Sequence, residues 1–168
     1  AAETFAKQSS NLFKASREAL ERAEDIRKGE VQAQREIFLS SARFVLESLH
    51  SLSVDFIRML EGDVPEKTWK SYQKGDVAAF TGRMVTLSEK MPVDKIRDKF
   101  ASDTEFRNYV QRYIRQYEDV FEQALRTDRG DLLGALFAGS DIGKLYKFLC
   151  LASGREAKKV DTTRSEDA

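Results

Sequence analysis

The sequence predicts an all-α chain, a bundle of about five or six helices with one long helix near residues 31–61. Three observations carry that expectation. Two prolines and nine glycines are few breaks for 168 residues. The stretches between them repeat their apolar residues at helical spacing. No convincing strand, internal repeat or inter-domain linker interrupts the pattern. The length suits a single helical domain, expected over 1–154, followed by a polar tail at 155–168 that lacks apolar periodicity and reads as disordered. A chain of this size buries about 70% of its extended surface, enough to hold a core without cross-links.

Each element has its own signal. From Ser10 to Lys28, the residues Leu12, Ser16, Ala19, Ala23 and Ile26 keep a 4-3-4-3 rhythm, widened by Phe13 and Leu20, and Gly29 offers a stop or kink. From Val31 to Glu61 the rhythm is strongest, through Phe38, Ala42, Val45, Leu49, Leu52, Phe56 and Met59, ended by Gly62 and Pro65. Pro65 opens a short helix bearing Trp69 and Tyr72, stopped by Gly75. Asp76 suits the cap of a helix with Val77, Phe80, Met84 and Leu87 on one face. Pro92 opens a brief segment holding Ile96 and Phe100. Ser102 with Glu105 has the spacing of a capping box ahead of a helix carrying Phe106, Val110, Tyr113 and Tyr117. A last apolar section, Leu132 to Leu151, is capped by Asp131, interrupted at Gly139-Ser140 and ended by Gly154.

Composition removes whole classes of chemistry. Twenty-eight basic residues balance 28 acidic ones, so no global field directs the chain to nucleic acid. A single cysteine and a single histidine exclude an internal disulfide framework and any site built from two imidazoles. No apolar run approaches the ~20 residues that span a bilayer, and the N-terminus has no signal-peptide pattern. The first residue is Ala, which leaves room for a removed leader. No Gly-x-Ser-x-Gly elbow or phosphate-binding glycine loop is present. Cys150, between Leu149 and Leu151, reads as a buried inert thiol. The chain is expected to be a cytoplasmic non-enzyme with no metal and no cofactor.

Four constellations remain. Glu47-x-x-His50 spells the ligand pattern of di-iron bundles, but that site needs two such motifs. His50-Ser51-Leu52 matches the start of the phosphoacceptor sequence of histidine phosphotransfer domains, with Ser53 and Val54 where Lys and Gly belong, so His50 is the phosphoacceptor candidate. Residues 131–148 match the offsets of a helix-turn-helix, with Lys144 and Lys147 as the DNA-contact candidates. Gly143 weakens its second helix, and the face lacks side chains that read base edges. Tyr109, Tyr113 and Tyr117 lie four apart with Arg112 among them, and are the partner-binding candidates. Their competing reading is core packing with the phenols at the rim.

These residues favour a helical protein–protein interaction module, an adaptor, scaffold or regulatory subunit. It would work through apolar helix faces, with a protein partner or by self-association as a homodimer. The seam Phe38 to Met59 and the helix Phe106 to Phe121 are the expected surfaces. A DNA-binding regulator, a phosphotransfer domain and an amphipathic coat for lipid or granule surfaces are the alternatives.

Overall fold

The computed structural model describes residues 1–160, and among them it contains seven helices and no strand. None is long and apolar enough to cross a membrane. Residues 161–168 of the expected tail lie outside the described residues. Contacts divide the chain after Leu39 into two units.

Helix α1 runs from Ala2 to Glu61, 60 residues without a break. The expected stop at Gly29 does not occur. Gly29 takes no positive φ, and the residues on both sides of it are helical. A glycine inside a helix costs about 1 kcal/mol relative to alanine but ends it only when it turns left-handed or a cap competes. Pairs four residues apart, Arg17–Glu21 and Arg43–Glu47, add a few tenths of a kcal/mol each. The helix stops where the signal is real, at Gly62, whose φ of 81° places it in the left-handed region.

The second unit contains the end of α1 and six shorter helices: α2 Glu66–Gln73, α3 Ala79–Lys90, α4 Val93–Ser102, α5 Thr104–Leu125, α6 Gly130–Gly139 and α7 Asp141–Ser153. Helix α7 lies at the centre, packed against α3, α4, α5 and α6. Its Ile142, Leu145, Tyr146, Phe148 and Leu149 are buried. Around them close Leu49, Leu52, Phe56 and Ile57 of α1, Phe80 and Met84 of α3, Ile96 of α4, and one face of α5. Of the seam Phe38 to Met59, expected to offer surface, the stretch from Val45 to Met59 is consumed here. Of its members only Val45 and Met59 keep partial exposure.

Three expected caps differ: Asp131 falls inside α6, whose N-cap Arg129 makes no side-chain cap bond, and two others shift for local reasons. Ser102 still belongs to α4, where its hydroxyl donates to the Asp98 carbonyl at 2.8 Å. Extended Asp103 therefore caps α5, accepting from the Phe106 N–H at 3.1 Å. Asp76 accepts from the Ala78 N–H two residues on, shaping the turn before α3.

A single residue, Ser140, joins α6 to α7, and its hydroxyl caps α7 through the Gly143 N–H. So short a joint forces the start of α7 against the end of α6. A Cβ on Gly143 would sit 2.5 Å from the Phe137 carbonyl oxygen. Gly29, by contrast, has nothing within 4 Å. Gly143→Ala is therefore expected to lower the stability of the second unit by about 1–3 kcal/mol. Gly29→Ala should raise helicity and stabilise α1 by about 0.5–1 kcal/mol. Denaturant unfolding followed by far-UV circular dichroism reads both, and an unchanged midpoint for Gly143→Ala would contradict the tight joint.

Candidate functional site

The first unit, residues 1–39, is all helix from Ala2, and its seam is open. Phe5, Leu12, Phe13, Leu20 and Ile26 are 63–73% exposed. They belong to a strict alternation of three and four residues. One column holds the small residues Ala2, Ser9, Ser16 and Ala23, and the next holds Phe5, Leu12, Ala19 and Ile26. Ala6, Phe13 and Leu20 widen the second column. From Ala2 to Ile26, at 1.5 Å per residue, the stripe extends ~36 Å. Arg27, next in the widening column, is the first charged residue on it, followed by Glu30, although a third of the chain is charged. The charged residues Lys14, Arg17, Glu18, Glu21 and Asp25 all lie on the remaining face. Such a stripe is the half-interface of a helix pair. The sequence displays part of this rhythm from Leu12 to Ile26; what it could not display is that the first unit is a lone helix with nothing of its own to cover the stripe.

The tyrosine strip divides. Tyr113 and Tyr117 are fully buried, so they are core residues and not partner contacts. Tyr113 fits there because its phenol donates to the Ile142 carbonyl at 3.0 Å. Tyr117 stacks on Tyr146 with centroids 4.0 Å apart, and also on Phe121 and Phe137. Burial raises both phenol pKa values. Tyr109 is half-buried at the rim, with the exposed Arg112 guanidinium over its ring at 5.4 Å.

A polar network lies beneath the strip. The Glu118 carboxylate is buried and accepts from the Tyr146 hydroxyl at 2.9 Å and from two nitrogens of Arg155 at 2.9 and 2.6 Å. Tyr146 in turn accepts the Lys158 backbone N–H at 3.0 Å, and the Lys158 ammonium pairs with Glu122. Residues 155–160 are thus helix-free, as the sequence suggests, yet anchored, with Ala157 and Val160 packed on the core. A cleft of about 700 Å³ beside this network is lined by Phe100, Arg115, Glu118, Asp119, Arg155 and Lys158. Charges of both signs line it, and the Glu118, Arg155 and Lys158 charges already satisfy one another.

His50 is half-buried on α1 and belongs to a second network. Its Nδ1 lies 2.7 Å from the Thr81 hydroxyl, which lies 3.1 Å from the Ser53 hydroxyl, and Ser53 donates to the Leu49 carbonyl. Each hydroxyl has one proton to give. With Ser53 donating to Leu49, Thr81 donates to Ser53, and Nδ1–H donates to Thr81. Burial lowers the imidazole pKa, against the opposing pull of Asp76 and Asp141. Those two carboxylates would meet an incoming phosphoryl group unfavourably, and Ser53, where a phosphotransfer domain has its lysine, is buried. Glu47 pairs with Arg43, apart from His50. Among the described residues no group of three or more His, Cys, Asp or Glu side chains is placed to hold a metal.

Lys144 and Lys147 are exposed, on a narrow strip of α7 shared with Asp141 and Leu151. The rest of α7 is buried or half-buried among four helices, whereas a recognition helix must enter a groove. Cys150 is buried and its pKa is raised by burial, which keeps it a thiol. No family model, curated protein or solved structure matches the chain, so its role has to be sought in these side chains.

Two measurements test the networks. Replacing Glu118 by Gln removes the charge that Arg155 and Tyr146 hold, and should cost about 2–3 kcal/mol and expose residues 155–160 to proteolysis. Because folding lowers the His50 pKa, the unfolded chain binds more protons just below pH 6.5. Stability should therefore fall as pH drops through that value and level off below the folded pKa. His50→Gln should flatten this part of the pH–stability curve, and a slope that survives the substitution would show that another group titrates there.

Proposed function

We propose that the chain is a non-enzymatic helical interaction module, an adaptor, scaffold or regulatory subunit, whose working surface is the open seam of α1. It acts in the cytoplasm, where the lone thiol of Cys150 stays reduced. One observation carries the reading. A solvent-exposed stripe keeps strict three-four spacing and excludes charge from Ala2 to Ile26. Leaving five large apolar side chains in water is unfavourable by about 1.5–3 kcal/mol each relative to burying them. A paired helix supplies that burial with matching geometry.

Of the other large exposed apolar residues, Ile37, Leu39 and Phe44 lie further along α1, beyond Glu30, with Ile37 and Phe44 seven apart. Val77, Leu132, Leu136 and Leu151 are dispersed over other elements, and Trp69 and Tyr72 stack on each other and on Phe80. Scattered exposure of this kind is ordinary for a folded chain.

The test compares the full chain with the double substitution Leu12→Glu and Leu20→Glu, by sedimentation equilibrium and by capture from the native host. The wild type is expected to associate, with itself or with a helical protein, and the variant to lose that association. The denaturant midpoint of the second unit should not move. A wild type that sediments as one chain and captures the same set of proteins as the variant refutes the reading.

A further inference from the structure

We infer that the α1 seam pairs with the same seam of a second copy of this chain, antiparallel, with the two Phe13 side chains meeting at the two-fold axis. The inference rests on the reading of the seam as a helix-docking surface and names its occupant.

The argument is the arrangement of small and large residues. Two helices paired in parallel set each seam position against itself. The Ser9 and Ser16 layers would then be thin, the Phe5 and Leu12 layers thick, and Glu30 would face Glu30 of the other copy. Antiparallel pairing sets the small column against the large one. Ala2 meets Ile26, Phe5 meets Ala23 and Leu12 meets Ser16, so each of these layers joins one large residue to one small one. Uniform layers let the helix axes run at a constant, close spacing of ~8–10 Å. The one thin layer, Ser9 with Ala19, lies between the widening residues: Phe13 meets Phe13 at the axis, and Leu20 comes beside Ala6. Glu30 falls beyond the last layer. The pattern is therefore complementary to itself, as a two-fold interface requires.

Size and charge agree. The exposed Phe and Leu/Ile side chains of two copies would remove on the order of 1,000 Å² from water, the lower bound of specific interfaces. The face opposite the seam mixes Arg17 and Arg22 with Glu18, Glu21 and Glu24. A helix built to lie on a lipid surface carries mainly Lys and Arg there.

Cysteine substitutions in the full chain provide the test, since the native Cys150 is buried and stays out of the reaction. The protein should sediment at twice the chain mass. Phe13→Cys should cross-link to itself under mild oxidation without denaturant. Ser9→Cys should not, but should cross-link when mixed with Ala19→Cys. Self-cross-linking of Ser9→Cys would mean a parallel pair, which overturns the inference and leaves helix docking intact. A single-chain mass, with a different helical protein captured in a Leu12- and Leu20-dependent way, would do the same. A single-chain mass with flotation on anionic phosphatidylserine vesicles, lost in the Leu12→Glu, Leu20→Glu variant, would overturn both readings.

Discussion

Helix α7 must be enclosed, and much of the second unit is a consequence of that. A short helix with Ile142, Leu145, Tyr146, Phe148, Leu149 and Cys150 all buried has little face left for water. Four helices close around it, and the last turns of α1 complete the core through Phe56, which meets the rings of Phe106 and Tyr113. The one-residue joint at Ser140 holds the start of α7 against α6, and Gly143 is the residue that allows so close an approach. The Lys-bearing strip is what such enclosure leaves to solvent.

Enclosure also explains the buried polar groups. Tyrosines occupy core positions because partners reach them: a carbonyl at the start of α7 for Tyr113, a carboxylate and a backbone N–H for Tyr146. Glu118 is tolerated inside because Arg155 neutralises it from the side of the chain beyond α7. Residues 155–160 are held by the Arg155 and Lys158 charges, by the Lys158 N–H and by the packing of Ala157 and Val160.

Helix periodicity and turn chemistry were legible in the residues. Gly62 and Gly154 end helices with positive φ from local signals, and the expected interruption at Gly139-Ser140 is the joint between α6 and α7. Gly29 misleads because a glycine marks a stop only with a left-handed turn, and the helical residues on both sides of Gly29 keep it right-handed. Ser102 misleads by one position because its hydroxyl can serve α4 as well as cap α5. The seams exchange roles for a larger reason. Phe38–Phe56 and Phe5–Ile26 have the same rhythm, and periodicity states that a face is apolar without stating what covers it. The tyrosine strip poses the same ambiguity, resolved by the position of the Ile142 carbonyl. The Glu118–Arg155 pair had no sequence signal, since 37 residues separate its members.

The uncovered seam also sets a condition on how the chain persists. A helix with its apolar stripe in water has only its own turns to hold it, and those turns open readily. Phe5, Leu12 and Phe13 then resemble the segments that chaperones and proteases survey in unfinished chains. Copies with the stripe covered would escape that survey, so the amount of protein maintained would track the amount paired rather than the amount made.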